Sequence, residues 1–159
     1  MFGPCWELEE GSVDSTTFFE LLASTFTEAT TAYFEGSSMA PDVVDVFERH
    51  TEPGEYLPKP QTLSAWSFTL WPPRFRSDTI LRLRCRFTPA LCADLTTVSP
   101  HHAEPELFDH VFLYADREPL LEWPDAFANC MWIAPSMPEL RVRAFAAGLG
   151  VRYKYEEPG

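Results

Sequence analysis

The chain is short of glycine, of basic side chains and of long apolar runs, and each shortage excludes a class of protein. Seven glycines in 159 residues leave little material for phosphate-cradling loops. No Gly-x-Gly-x-x-Gly segment, Walker loop or Gly-x-Ser-x-Gly elbow occurs. Lysine and arginine number 12 against 24 aspartates and glutamates, a formal charge of −12. A surface of that sign repels nucleic acid, whose affinity for proteins comes largely from Lys and Arg displacing counterions. Uninterrupted apolar runs, such as 111–115 and 130–134, are far too short to cross a bilayer. Residues 1–7 have neither the positive segment nor the apolar run of a secretory signal. The expectation is a cytoplasmic protein with no nucleic-acid or membrane partner.

Cysteine is also scarce. Cys5, Cys85, Cys92 and Cys130 form no Cys-x-x-Cys pair, so neither a zinc knuckle nor a thioredoxin-like site is visible. Cys85 and Cys92 fall at apolar positions of their segments and read as buried free thiols. No cofactor is expected.

Against these shortages, 45% hydrophobic and 23% charged residues are ordinary globular values, and the length suits a single domain over 1–159. Fifteen prolines and 23 aromatics (13 Phe, 5 Trp, 5 Tyr) are the excesses. Charge is uneven along the chain. Residues 1–58 hold twelve acids and one base, 59–100 two acids and six bases, and 101–159 ten acids and five bases.

Periodicity predicts an α+β fold, with about four helices packed on a mainly antiparallel or mixed sheet of about five to six strands. A helix is expected over 17–27, where Thr17 and Glu20 have capping-box spacing and Phe18, Leu21, Leu22 and Phe26 share a face. A strand at 32–34 leads to a helix opened by Pro41 and ending near His50, whose ring is expected at that helix's carbonyl end. Pro53, Gly54, Pro58 and Pro60 make 51–64 a long loop. In 80–87, Leu81, Leu83, Cys85 and Phe87 alternate with Arg82, Arg84 and Arg86, giving a strand with a buried face and a more exposed arginine face. Thr88 and Pro89 open a helix whose apolar stripe is Leu91, Cys92, Leu95 and Val98. Strands are expected at 110–115, 120–123 and 130–134, and their short connections favour antiparallel pairing. Ser136 and Glu139 have capping-box spacing before a last helix that Gly148 or Gly150 ends, and 151–155 adds an edge strand.

Four groups of side chains invite a functional reading. Asp42, Asp45, Glu48, Glu52 and Glu55 form an acidic stretch across a helix and the proline-rich loop, suited to a basic protein partner. Arg82, Arg84 and Arg86, with Arg74 and Arg76 upstream, offer forks for a carboxylate or phosphate. The preferred reading for them is internal pairing, with Glu118 and Glu122 as candidates on a neighbouring strand. His101, His102, Glu104, Glu106, Asp109 and His110 carry donors suited to zinc or iron. Their spacing matches no established ligand pattern, and a polar connecting turn is the preferred reading. Trp66, Trp71, Trp123 and Trp132, with Phe68, Phe75, Phe112 and Tyr114, read as core or interface rather than a cofactor box.

The function expected is a non-enzymatic acidic module that binds another protein through a basic surface. In size and charge the chain is similar to small acidic bacterial immunity proteins, which neutralise toxin domains with basic clefts; the likeness is one of composition, without a motif. The alternatives are a metal-dependent hydrolase using His101, His102 and His110, and a small-anion binder using Arg82, Arg84 and Arg86.

Overall fold

Among the described residues, four α-helices are cut from the chain by residues that begin or stop a helical ladder. The computed structural model describes residues 3–55, 57 and 80–157. Helix α1 (Ser15–Thr25) is capped by Asp14, whose carboxylate accepts the Thr17 N–H at 2.9 Å. It therefore starts two residues before the Thr17 box expected from sequence, because the Asp14 carboxylate reaches the free N–H first. Helix α2 (Pro41–Arg49) opens on its proline and α3 (Pro89–Val98) on the Thr88 cap, which accepts the Leu91 N–H at 3.1 Å. Helix α4 (Glu139–Leu149) does not use the expected Ser136–Glu139 box; Pro138 occupies the cap position. A residue before proline is pushed out of the helical region, and Met137 instead turns its side chain into the core. Gly150, at φ 73°, ends α4 in a Schellman motif, with its own N–H on the Ala147 carbonyl and that of Val151 on Ala146.

Strands β1 (Cys5–Leu8), β2 (Thr31–Gly36), β3 (Leu81–Arg86), β4 (His110–Ala115), β5 (Glu118–Trp123), β6 (Met131–Ile133) and β7 (Tyr153–Glu156) pair antiparallel throughout. They form one sheet in the order β3-β2-β4-β5-β6-β1-β7. The fold is α+β, as expected, with seven strands among the described residues rather than the expected five to six. The extra one is β1, four residues long and without the alternation that marks a strand in sequence.

All four helices contribute to one apolar core against one face of the sheet, with Phe18, Phe19, Leu22, Val43, Phe47, Leu91, Leu95, Val142 and Phe145 meeting Phe34, Val111, Leu113, Leu121, Trp123 and Ile133. Burying an aliphatic or aromatic side chain of this kind is worth about 1.5–3 kcal/mol each, and this layer holds the sheet flat against its helices. No described helix is long and apolar enough to cross a membrane.

The opposite face is not simply solvated. Every residue of β2 is buried, as are Val111, Phe112, Leu113 and Tyr114 of β4. The continuous apolar run of β4 is the sequence sign of a strand covered on both sides. On the second face the register lines up Arg84, Tyr33, Phe112, Glu122, Trp132, Glu7 and Lys154, one residue from each strand across the whole sheet.

Candidate functional site

The acidic stretch lies along the β3 edge of the molecule. Helix α2 buries Val43, Val46 and Phe47 and leaves Asp42, Asp45 and Glu48 exposed. After α2 the chain runs beside β3: Thr51 bridges Cys85, the Glu52 N–H donates to the Arg84 carbonyl at 3.1 Å, and the Arg86 N–H donates to the His50 carbonyl at 3.0 Å. Glu52 is thereby held 3.7 Å from the Arg86 guanidinium, and the Glu55 carbonyl accepts from Arg84. Asp42 accepts or shares a proton with His102 at 2.7 Å, and that bond holds its carboxyl below the usual carboxylate range. Among the described residues, Asp45 and Glu48 meet no cation.

Beside this edge a shallow cleft of about 220 Å³ is lined by Arg49, His50, Thr51, Glu52, Pro53, Arg86 and Thr88. Its charges are mixed and largely matched. Asp94 of α3 receives Arg49 at 3.8 Å and the His50 ring at 2.7 Å. His50 was expected at the carbonyl end of α2. Its backbone N–H does bond the Phe47 carbonyl, but the ring turns to Asp94, a charged acceptor that outbids a carbonyl already in the ladder.

The three arginines of β3 share one side of the strand, as the alternation requires, yet their surroundings differ. The Arg82 side chain is only 10% exposed and sits 3.1 Å from Glu35, which is fully buried; Arg86 is 71% exposed. The expectation of a more exposed arginine face holds at Arg86 but not at Arg82, because β2 and β4 bring Tyr33, Glu35 and Tyr114 into a covered cluster beside it. The Arg82 guanidinium stacks 4.6 Å from the centre of the Tyr33 ring, and Tyr114 meets that ring edge-on at 5.6 Å. The Tyr33 hydroxyl accepts the Leu57 N–H at 3.0 Å and faces Arg84 at 3.5 Å. Burial pushes the Tyr114 phenol up, with Glu35 and Glu122 adding to the rise and Arg82 opposing it. Glu118, offered as a pairing partner from sequence, lies on β5, separated from β3 by β2 and β4, and is exposed. The arginines meet carboxylates at Glu35 and Glu52 instead. Glu35 escaped notice in sequence because it follows the apolar run 32–34, one residue before β2 ends at Gly36; its place two residues after Tyr33 was the available signal.

The histidine segment does not converge. His101 is exposed, His102 bonds Asp42, and His110 accepts the Asp125 N–H at 2.8 Å. Glu106 closes the turn by accepting the Ala103 N–H at 2.8 Å, and Asp109 accepts both the N–H and the hydroxyl of Ser37 at 2.8 Å. Among the described residues no group of three or more His, Cys, Asp or Glu side chains is arranged to hold a metal.

Trp123 fills the helix-side core, Phe112 and Tyr114 belong to the covered second face, and Trp132 is half-buried. Trp66, Trp71, Phe68, Phe75, Arg74 and Arg76, with most of the proline-rich loop, lie outside the described residues. All four cysteines are free; Cys85 and Cys92 are buried, which pushes both thiols up to about 12 and makes them poor nucleophiles. The chain matches no protein-family model, no curated protein and no solved structure.

Proposed function

We propose that this chain is a non-enzymatic, cytoplasmic binding module that engages a basic protein surface through the acidic edge formed by Asp42, Asp45, Glu48, Glu52 and Glu55. The supporting observation is that Asp45 and Glu48 stand exposed on α2 without a cation among the described residues, whereas the arginines nearby already meet protein acceptors. Carboxylates left over after internal pairing set the sign of the surface and speed encounter with a positive patch. The apolar side of α2 anchors this edge on the core, so the charges are presented by a fixed helix. Four free cysteines suit a reducing compartment. Size and charge in common with small immunity proteins suit a role in blocking a basic cleft.

The test begins with a partner obtained by co-purification and proceeds to association rates over a salt series. Asp45→Lys with Glu48→Lys is expected to slow association by about tenfold or more at low salt, with little change in dissociation. Glu118→Lys, on a distant strand, serves as the control. Rates indifferent to salt, or equal loss in the control, overturn the reading.

A further inference from the structure

The two edges of the sheet are finished differently. The outer side of β3 is occupied by residues 50–52, through the Thr51–Cys85 bridge and the Glu52 and Arg86 backbone bonds. Strand β7 closes the other end, and among the described residues no segment lies beyond it. On its inner side β7 pairs with β1, Lys154 facing Glu7 and Glu156 facing Cys5, and the Glu9 N–H reaches the Arg152 carbonyl at 2.9 Å. Antiparallel ladders use alternate residues for these bonds. Residues 152, 154 and 156 therefore turn their backbone groups to β1, and Tyr153, Tyr155 and Glu157 turn theirs outward.

We propose that β7 is a joint at which two copies of this chain pair edge to edge, antiparallel, about a twofold axis at Tyr155. Bonded pairs across the joint must match outward residue with outward residue, which leaves few registers. Centring on Tyr153 sets Arg152 against Lys154, centring on Lys154 sets that lysine against its own copy, and centring on Glu156 sets two glutamates together. Centring on Tyr155 places Lys154 opposite Glu156 twice, with no like charges opposed, in the close non-bonded position where side chains approach best.

The side chains agree with this register. Tyr155 is 42% exposed and, with Leu140 at 66%, is one of the two large apolar side chains described as exposed. Its ring is braced by Trp6 at 4.7 Å, so it stands fixed at the axis and meets its own copy. Leu140 follows Glu139, whose carboxylate accepts from the Tyr153 hydroxyl at 3.1 Å, so both exposed side chains belong to the same end of the molecule. A lysine on an edge strand ordinarily discourages pairing. Here Lys154 already lies 2.5 Å from Glu156 and 3.4 Å from Glu7 of its own chain, so its charge is matched at the edge, and across the joint it meets the Glu156 of the other copy as well. The charge of −12 on each copy opposes approach, but at physiological ionic strength it is screened within about 8 Å. Helix α2 packs against β3 at the far end of the sheet, so this joint is independent of the acidic edge.

Sedimentation equilibrium at physiological ionic strength reads the outcome directly. The wild-type chain is expected to shift from monomer to dimer mass across its soluble concentration range. Glu156→Lys and Lys154→Glu should each give monomers, since each opposes like charges, and an equimolar mixture of the two should regain dimer mass because Lys then meets Glu at both positions. Tyr155→Pro removes an outward N–H while sparing the bonds to β1, and should also give monomers; circular dichroism confirms that each variant is folded. A wild-type chain that stays monomeric throughout, a dimer that survives these variants, or a mixture that stays monomeric overturns the proposal.

Discussion

The two faces of the central strands are both covered, but by opposite chemistry. Toward the helices, Phe34, Val111, Leu113 and Trp123 belong to the apolar core, the Trp123 indole N–H donating to the Asn129 carbonyl at 3.0 Å. One residue along the same strands, Tyr33, Glu35, Phe112 and Tyr114 face a cluster containing a buried arginine and its carboxylate. An apolar layer is non-directional, so it tolerates exchange of side chains of similar volume. The polar layer is conditional: each buried charge is stable only while its partner is present.

The largest expected effect separates these two kinds of stability. Glu35→Ala should cost about 3–5 kcal/mol, because it removes the carboxylate from a largely covered ion pair. Phe34→Ala, its neighbour on the other face, should cost a similar amount, about 3–5 kcal/mol, through lost transfer energy and a cavity. Urea unfolding distinguishes them when a second substitution is added. Glu35→Leu with Arg82→Leu should recover most of the loss, since an apolar pair replaces an ionic one, whereas Arg82→Leu added to Phe34→Ala should lower stability further, because it takes away the guanidinium that faces the buried Glu35 carboxylate. A double variant no better than Glu35→Ala would mean that the ion pair does not act as a unit.

A smaller effect tests how the covering of the second face is tied down. Tyr33→Phe keeps the ring but leaves the Leu57 N–H without its acceptor, at a cost of about 1–3 kcal/mol. Hydrogen exchange should quicken at Leu57 first, while amides under the helix-side core keep their protection.

The smallest lies outside both layers, at Asp42. Its hydrogen bond to His102 lowers the carboxyl below the 3.8 of a free aspartate, so the folded state binds that proton less readily than the unfolded chain. The contribution is present above the ordinary pKa and is lost as pH falls through the lowered folded value. Asp42→Asn should flatten the stability curve in that acid window, so that the variant is less stable than the wild type near neutrality and equal to it at low pH. An unaltered acid limb in the variant would show that the His102 contact adds nothing.

Much of the architecture was written locally. Thr88 with Pro89, Pro41, and Gly150 after Leu149 mark helix ends by chemistry confined to a few residues, and the structure uses each of them. The arginine alternation fixed which β3 side chains share a side. Asp14 and Pro138 show the limit of such reading: where two cap signals compete, geometry a residue or two away chooses between them.

What local pattern could not determine is which segments become neighbours. The five carboxylates of the acidic edge were legible as a stretch, but only the fold sets Asp42 against His102 and Glu52 against Arg86, contacts of long sequence separation, and leaves Asp45 and Glu48 with no cation among the described residues. The histidine cluster was equally legible as a list of donors, and only the fold sent His102 to Asp42 and His110 to Asp125. Strand β1 is a strand only because β6 and β7 supply its hydrogen bonds from the far end of the chain. Sequence thus determined charge, caps and alternation, which act over one or two turns. Tertiary structure decided pairing, because a buried charge or an unpaired strand edge is stable only beside a partner that folding must first bring to it.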